Sequence, residues 1–406
     1  MASNESAVLF DQPGPKGRKT IRIVNWIAGI IFAVVVVLIL MRLHNPPDGE
    51  NQLSWELWKP ALDAEAWTDF YLPGLWATIR ASVLAVVGAV VFGLVFGVGR
   101  LLPSLLIRTI SGVIVEFARA VPVLLLMIFF WRWFAFAGMS SPAYWAVVLA
   151  LVIYNGSVVA ELVRFTNWRA QVRAAEAAQL ELTRTYDFNP GNIISDGQFF
   201  NGSAMSQAEV QSFLDTQGGS LAAMTFDTSN ESGEGLCTDY TGTKGESAAA
   251  IIDQSARACK VSQKVLLTVM QKEQHLVTAV DPSDYQLMAA MGLNCPDTAD
   301  CDPAYAGFFR QVYGAAKRYR YYLEHEEQYG YTAHNLNYIQ YHPNAACGGA
   351  QVYIENKATA LLYIYTPYQP NIAALAAGNG TGDSCSSYGN RNFALIYTSW
   401  FGSPRS

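Results

Sequence analysis

The first 236 residues contain no cysteine, and charge is scarce throughout: 15% of the 406 residues are Asp, Glu, Lys or Arg, against 51% apolar. There are only five histidines. None sits in an HExxH pattern, and no CxxC or mixed Cys/His spacing occurs, so no metal site is expected and His275 reads as an ordinary exposed side chain. The segment Gly14-Pro15-Lys16-Gly17-Arg18-Lys19-Thr20 lacks the GxxxxGK[ST] spacing that cradles phosphates, which leaves the chain without an ATPase of its own. A net charge of -6, a pI near 5.5 and the lack of a basic stripe exclude nucleic acid as the partner. No cofactor motif is present.

What is present divides sharply in two. Long apolar runs are confined to the first 160 or so positions, and the remainder has ordinary globular composition. Ile23 to Met41 is apolar except for Asn25 and follows Lys16, Arg18, Lys19 and Arg22. It is too long for a signal peptide, and no small-residue cleavage site succeeds it, so an anchoring span is expected. Further spans are expected at about Ala81–Gly99, Val113–Phe130 and Ala143–Val159, giving an all-α membrane part of about four transmembrane helices with membrane lipid as its surroundings. The segments before the first span, between the second and third (Arg100, Arg108) and after the fourth (Arg164, Arg169, Arg173) are basic, whereas His44 to Asp69 is rich in acid. The positive-inside rule then puts the N-terminus, and residue 165, in the cytoplasm. Polar residues within the spans are few. Arg119 beside Pro122, Asn155 and Glu161 are candidates for a transport pathway, and the competing reading is that Arg119 and Glu161 snorkel to the interface.

Three segments carry a resemblance: Leu72-Pro73-Gly74-Leu75-Trp76-Ala77-Thr78-Ile79, then Phe117-Ala118-Arg119-Ala120-Val121-Pro122-Val123-Leu124, then Tyr154-Asn155-Gly156 running to Ala160-Glu161-Leu162-Val163-Arg164. In order and spacing this part resembles the permease subunit of polar amino-acid ABC importers, the glutamate/glutamine type above all. The resemblance implies as partners a second permease, a cytoplasmic ABC ATPase and an extracytoplasmic solute-binding protein. Glu176-Ala177-Ala178 falls about where that family docks its ATPase through a short helix. The family's downstream glycine, the rest of that loop and its last span have no counterpart, so the permease is expected to be truncated and its coupling impaired.

All six cysteines, Cys237, Cys259, Cys295, Cys301, Cys347 and Cys385, lie in the second part. An even number without metal spacing points to three disulfides and an oxidising compartment. Adjacent pairing is the expectation, although six cysteines allow 15 connectivities. From Asp187-Phe188-Asn189-Pro190-Gly191-Asn192 the composition turns to Asn, Gly, Ser and Tyr, which marks a boundary. Ser206-Gln207-Ala208-Glu209 is a capping box whose helix should end before Gly218. Ser262 should cap a helix from Gln263 to about Val277, and Asp302 with Pro303 should open one running to about His325. A strand is expected only around Gln351–Ile354, so this domain reads as mainly α. In the helix after Ser262, Leu266, Val269, Met270, Glu273, Leu276 and Val277 recur at offsets of three and four, which places Glu273 on the apolar face. Burial disfavours the ionised form of a carboxylate, a condition suited to a general acid near neutral pH. The alternative is a carboxylate that only pairs with a lysine or caps a backbone group.

Val265-Leu266-Leu267-Thr268-Val269-Met270-Gln271-Lys272-Glu273-Gln274, then Gln286-Leu287-Met288, then Gly314-Ala315-Ala316 leading to Tyr322-Leu323, resemble the lysozyme-like lytic transglycosylases. From Phe188 to Gly402 the region also resembles a secreted actinobacterial cell-wall module. The resemblance implies a lysozyme-like fold, peptidoglycan as partner and Glu273 as the catalytic group. Gln274 stands where the family has serine, and its Gly-Leu-Met-Gln reads Gln-Leu-Met-Ala here. Asp281 and Asp284 are the nearest further carboxylates, but two-carboxylate chemistry requires a separation the sequence cannot supply. Tyr363, Tyr365, Tyr368, Tyr388, Tyr397, Trp400 and Phe401 could stack on sugar, though aromatics at such spacing are more often core.

The expected organisation is therefore a cytoplasmic tail (1–22), a permease-like transmembrane domain (23–165), a helical linker (166–187) and an exported lysozyme-like cell-wall domain (188–406). It contains a conflict: loop charges put residue 165 in the cytoplasm, whereas the cysteines and the secreted-module resemblance put residues 188–406 outside. Either an odd number of helices spans, for example because the fourth is re-entrant, or the chain fuses a truncated permease to an unrelated exported module. The corresponding functions are a permease-like importer subunit with a lysozyme-like domain, or a membrane-anchored peptidoglycan hydrolase or non-catalytic adhesin.

Overall fold

The computed structural model describes residues 15–47, 49–295 and 301–406, so the first fourteen residues of the basic tail lie outside it. The chain divides into two compact units, Met1–Arg164 and Phe165–Ser406.

The first unit is helical. α1 (Pro15–His44) is exposed along nearly its whole length, with Ile, Val, Leu and Phe on every side, the pattern of a helix solvated by lipid. After short helical turns between Trp55 and Tyr71 come α2 (Leu72–Gly99), α3 (Leu105–Ala120), α4 (Val123–Phe136) and α5 (Pro142–Tyr186), whose first half belongs to this unit. α1, α2 and α5 are each long and apolar enough to cross a membrane, and α3 with α4 form a pair bent by 100° that counts as a fourth span if it crosses as one.

The single helix expected at Val113–Phe130 is thus two. Pro122 lacks an N–H and excludes the α conformation from the residue before it, and Val121 is extended (φ -88°, ψ 123°). The fourth expected span is one unbroken helix, which removes the idea of a re-entrant helix four.

α2 and α5 approach through small residues. Ala85, Ala89, Gly93 and Gly97 recur every four positions on α2 and are buried. A Cβ on Gly97 would lie 3.1 Å from Ala160 Cα and 3.0 Å from Val163 Cβ, while Gly93 meets Val159 and Gly88 meets Val152. A Cβ on Gly156 would in turn reach Ala89 O at 3.0 Å. Such small-residue seams allow the backbone contact that holds apolar helices together where no hydrophobic drive exists between them. Because the contacts advance together along both helices (88 with 152, 93 with 159, 97 with 163), α2 and α5 run parallel.

The second unit is mainly α, with two small antiparallel ribbons. α6 (Gln207–Gln217) begins at the Ser206–Glu209 capping box and ends at left-handed Gly218 (φ 73°), as its sequence signals. α7 (Ala248–Cys259), α8 (Gln263–Gln274), α9 (Phe308–Glu324), α10 (Lys357–Tyr365) and α11 (Gly389–Phe401) come next. α7 packs on α6 and α9, and α8 on α11. Phe199, Ile251, Leu266, Tyr319, Tyr363, Phe393 and Tyr397 are among the largest fully buried side chains of the core. Each apolar side chain taken wholly from water contributes roughly 1.5–3 kcal/mol before entropy is counted.

Two helix signals misled. α8 starts at Gln263 but ends at Gln274, where His275 turns left-handed (φ 53°), and the Ser262 hydroxyl is buried without capping the backbone. Asp302 closes a local turn by accepting from the Ala304 N–H at 2.9 Å, and α9 opens only at Phe308, after Gly307 (φ 100°).

β1 (Thr225–Phe226) pairs with β2 (Glu246–Ser247), and β3 (Asn335–Gln340) with β4 (Gly349–Ile354) in the register Asn335↔Ile354 to Gln340↔Gly349. The C-terminal half of α5 is integrated with this ribbon. Buried Gln179 accepts from Tyr353 N–H at 2.8 Å through Oε1 and donates to Tyr353 O at 3.2 Å through Nε2, occupying the ribbon's edge like a further strand residue. Disulfides join Cys237–Cys259, Cys295–Cys301 and Cys347–Cys385, the adjacent pairing. The last closes 38 residues of sequence separation and so constrains the unfolded chain most.

Candidate functional site

α8 is buried from Val265 to Met270, and its last turn emerges into an open cleft of about 490 Å³. There Glu273 presents a carboxylate whose side chain is 27% exposed, at the rim of the apolar face on which periodicity placed it. The cleft is walled by Gly292 and Asn294 from the loop after the short helix Asp284–Met288, by Tyr322 of α9, by Tyr365, Thr366 and Tyr368 at the end of α10, and by Asn392 of α11. Gly292 adopts φ +71°, and a Cβ there would lie 3.2 Å from Glu273 Oε2, so a side chain would crowd the carboxylate. Asp281 and Asp284 are exposed and do not line the cleft, which leaves Glu273 as its single carboxylate among the described lining residues.

The carboxylate pairs with a lysine, as the alternative reading of the sequence had it. Lys272 Nζ stands 2.6 Å from Glu273 Oε1, donates to Thr366 Oγ1 at 3.1 Å and lies 5.2 Å from the centre of the Tyr365 ring. Its side chain is only 7% exposed. Neighbouring positions on a helix do not ordinarily face each other, and this pair closes in the last turn of α8. Burial, with the Glu273 charge adding, pushes the Tyr365 and Tyr319 phenols well above the usual range, so both stay protonated. Tyr365 spends its proton on Met291 O, next to Gly292. Of the late aromatics, Tyr365 and Tyr368 line the cleft, while Tyr363 and Tyr397 are core. Among the described residues no group of three or more His, Cys, Asp or Glu could hold a metal.

In the first unit, Arg119 and Glu161 come together and Asn155 does not join them. Glu161 receives Arg164 at 2.5 Å, Arg100 at 3.0 Å and Arg119 at 3.4 Å, and Arg100 also meets Glu116 at 3.0 Å. This network ties the end of α2 to α3 and α5, next to the basic loop, where a charge is cheap. Asn155 instead donates to Leu151 O within its own helix at 3.0 Å. Glu176, Ala177 and Ala178 lie in the unbroken stretch of α5, exposed, with no separate docking helix around them.

Residues 192–406, over half of the chain, match the family model described as LasA, N-terminal domain. The chain belongs to the LasA N-terminal domain family. All six cysteines, Glu273 and every lining residue of the cleft fall inside the LasA N-terminal domain match, which supports a secreted, cell-wall-related module. The remaining, N-terminal part is similar over 119 residues to the glutamate transport system permease protein GluD of Corynebacterium glutamicum, at 42% identity, covering 29% of this chain and 44% of that protein. It is also similar, at 30% identity over 118 residues, to the probable glutamine ABC transporter permease protein GlnM of Bacillus subtilis, covering 29% and 52%. The chain thus spans about half the length of the curated relatives it matches. No solved structure matches the chain.

Proposed function

We propose that the chain is a permease-like membrane protein whose C-terminal unit is a lysozyme-like, glycan-cleaving cell-wall domain with Glu273 as its proton-transferring group. The observation that carries this is the setting of Glu273: one carboxylate at the end of a buried helix, opening into a cleft lined by Tyr322, Tyr365, Tyr368, Asn294 and Asn392. Tyrosine faces and amide groups are what a sugar chain recognises. With a peptidoglycan strand in the cleft, Glu273 gives its proton to the glycosidic oxygen as the bond from that oxygen to C1 breaks. The C6 hydroxyl of the same sugar, or a water, then attacks C1 and returns a proton to Glu273, so the carboxyl is regenerated and no second carboxylate is consumed. Such work belongs outside the membrane, where three disulfides persist. Zymography on purified peptidoglycan tests it: clearing by the wild-type chain should fall about 100-fold or more in Glu273→Gln, and equal clearing by both would remove Glu273 from the chemistry.

A second reading, a non-catalytic adhesin, is favoured by two features of the same site: Gln274 where the resembled family has serine, and a carboxylate already engaged by Lys272. Binding to peptidoglycan without clearing by either form would select it. For the permease-like part, similarity to glutamate and glutamine permeases supports an importer role with an ABC ATPase, a second permease and a solute-binding protein as partners. The continuous helix through Glu176–Ala178 is a poor coupling element, and ATP-dependent glutamate uptake by vesicles supplied with those partners is expected to be weak. Robust uptake would overturn that expectation.

A further inference from the structure

We propose that Lys272 is a positioning residue for Glu273, locking one carboxylate oxygen so that the other alone meets the ligand. The proposal rests on the reading of Glu273 as the proton-transferring group. Lys272 is the more deeply buried of the pair, 7% against 27% exposed, so the cation lies behind the carboxylate and only the carboxylate reaches the cleft.

A buried ammonium is costly unless it is paired and hydrogen-bonded, and here it is both. It faces Glu273 Oε1 at 2.6 Å, donates to Thr366 Oγ1 at 3.1 Å, and lies 5.2 Å from the centre of the Tyr365 ring. Among the described residues Glu273 is its only ion-pair partner. Oε2 is the oxygen on the Gly292 side, where the missing side chain leaves an approach.

The cradle is itself anchored. Tyr365 offers its ring to Lys272 and its hydroxyl to Met291 O, so the same residue fixes the cation and the loop that delivers Gly292. The groups facing the pair are Tyr319 and Tyr322 from α9 and Tyr365 from α10, with Asn392 from α11. The described lining of the cleft holds no histidine, no second carboxylate and no other cation. An ion pair that served only to join elements would link distant segments. This one joins neighbours on one helix, and what it orients is the group that faces the ligand.

The test uses the full chain in detergent micelles with soluble peptidoglycan strands as probe. Lys272→Met removes the charge at similar length, Lys272→Arg keeps it, and Thr366→Val removes one anchor. The expected result is a kcat lowered about 30- to 100-fold in Lys272→Met with KM within about twofold, most of it recovered in Lys272→Arg. A smaller loss, about three- to tenfold, is expected in Thr366→Val, which serves if Lys272→Met does not fold.

Wild-type kcat in Lys272→Met, a loss confined to KM, or an arginine variant no better than the methionine one would overturn the proposal. A readout free of turnover separates it from the reading beneath it. The carboxyl carbon resonance of Glu273, identified by its loss in Glu273→Gln in 13C-glutamate-labelled protein, should move in Lys272→Met and stay near its wild-type position in Lys272→Arg. If the resonance does not move in Lys272→Met, Lys272 does not hold the carboxylate. If it moves while the wild-type chain cleaves nothing, the positioning role stands and the glycan-cleaving reading falls.

Discussion

At the scale of single residues, buried tyrosines set how the second unit meets alkaline pH. Tyr397 is 1% exposed, donates to Gln198 Oε1 at 2.9 Å, and burial pushes its phenol up to about 12. Burial, helped by the charges of Asp239, Glu231 and Glu234, pushes the Tyr313 phenol up to about 12 as well. An unfolded chain releases these protons near pH 10 while the folded one keeps them, so the stabilisation is whole below pH 10 and is lost as pH rises toward 12. Each such phenol contributes a slope of about 1.4 kcal/mol per pH unit in that window. Tyr397→Phe should therefore unfold more easily at pH 8, by about 1 kcal/mol for the lost hydrogen bond, yet show a flatter decline between pH 10 and 12. Parallel curves for the two proteins in denaturant titrations would contradict this. The candidate site was half legible at this scale. Periodicity put Glu273 on the right helix face, because i, i+3 and i+4 spacing is a local property. A lysine partner was among the alternatives, but which lysine was not legible, because neighbours on a helix do not ordinarily face each other.

At the scale of elements, the sequence spoke clearly where a signal closes on itself and poorly where it depends on a distant partner. The Ser206–Glu209 box is satisfied within four residues, and α6 starts there. β3 was missed because its inward positions are Asn337 and Ile339. Buried Asn337 satisfies itself by donating to Thr332 O at 2.9 Å and Asn335 O at 2.8 Å, so the apolar alternation that announces a strand is broken. Gln179 gave no signal either, since a glutamine in an Ala-rich helix reads as surface until Tyr353 arrives from 174 residues away. A direct consequence concerns what the domain needs in order to fold. We propose that the C-terminal turns of α5 are part of it rather than a linker. Gln179→Leu removes the side-chain partner of the part-buried N–H and carbonyl of Tyr353, at a cost of up to about 1–3 kcal/mol for each such group. Faster hydrogen exchange at the Tyr353 amide is expected in Gln179→Leu, and none in Leu180→Ala, whose side chain is half exposed. Unchanged exchange in Gln179→Leu would restore the linker reading.

At the scale of the whole molecule, the parallel run of α2 and α5 carries further than loop charges alone. Two spans that point the same way require the chain between them to cross back. The charged ends Glu116 and Arg119 keep α3 at the Arg100 end of the pair, so α4 makes most of the return. We propose on this ground that the bent pair is a broken span, which makes four crossings and puts the end of α5's apolar stretch on the same side as the basic N-terminal segment. Three disulfides favour the opposite compartment for the cysteine-bearing domain, so composition and charge give contradictory answers for one chain. Single cysteines introduced at Gln52, Ser104, Ser140 and Ala170 separate parity from side. With a membrane-impermeant thiol reagent, Ser104→Cys and Ala170→Cys should label from one side of the membrane, and Gln52→Cys and Ser140→Cys from the other. Labelling of Ser104→Cys and Ala170→Cys from opposite sides would make α3–α4 re-entrant and refute the parallel seam. The native cysteines then fix the side. If they react in intact cells only after reduction, the oxidised domain lies outside, and the Lys19–Arg22 end must lie outside with it, against the usual charge rule. If they react freely once cells are permeabilised, the domain is reduced and held away from any wall, and Glu273 has no glycan to cut.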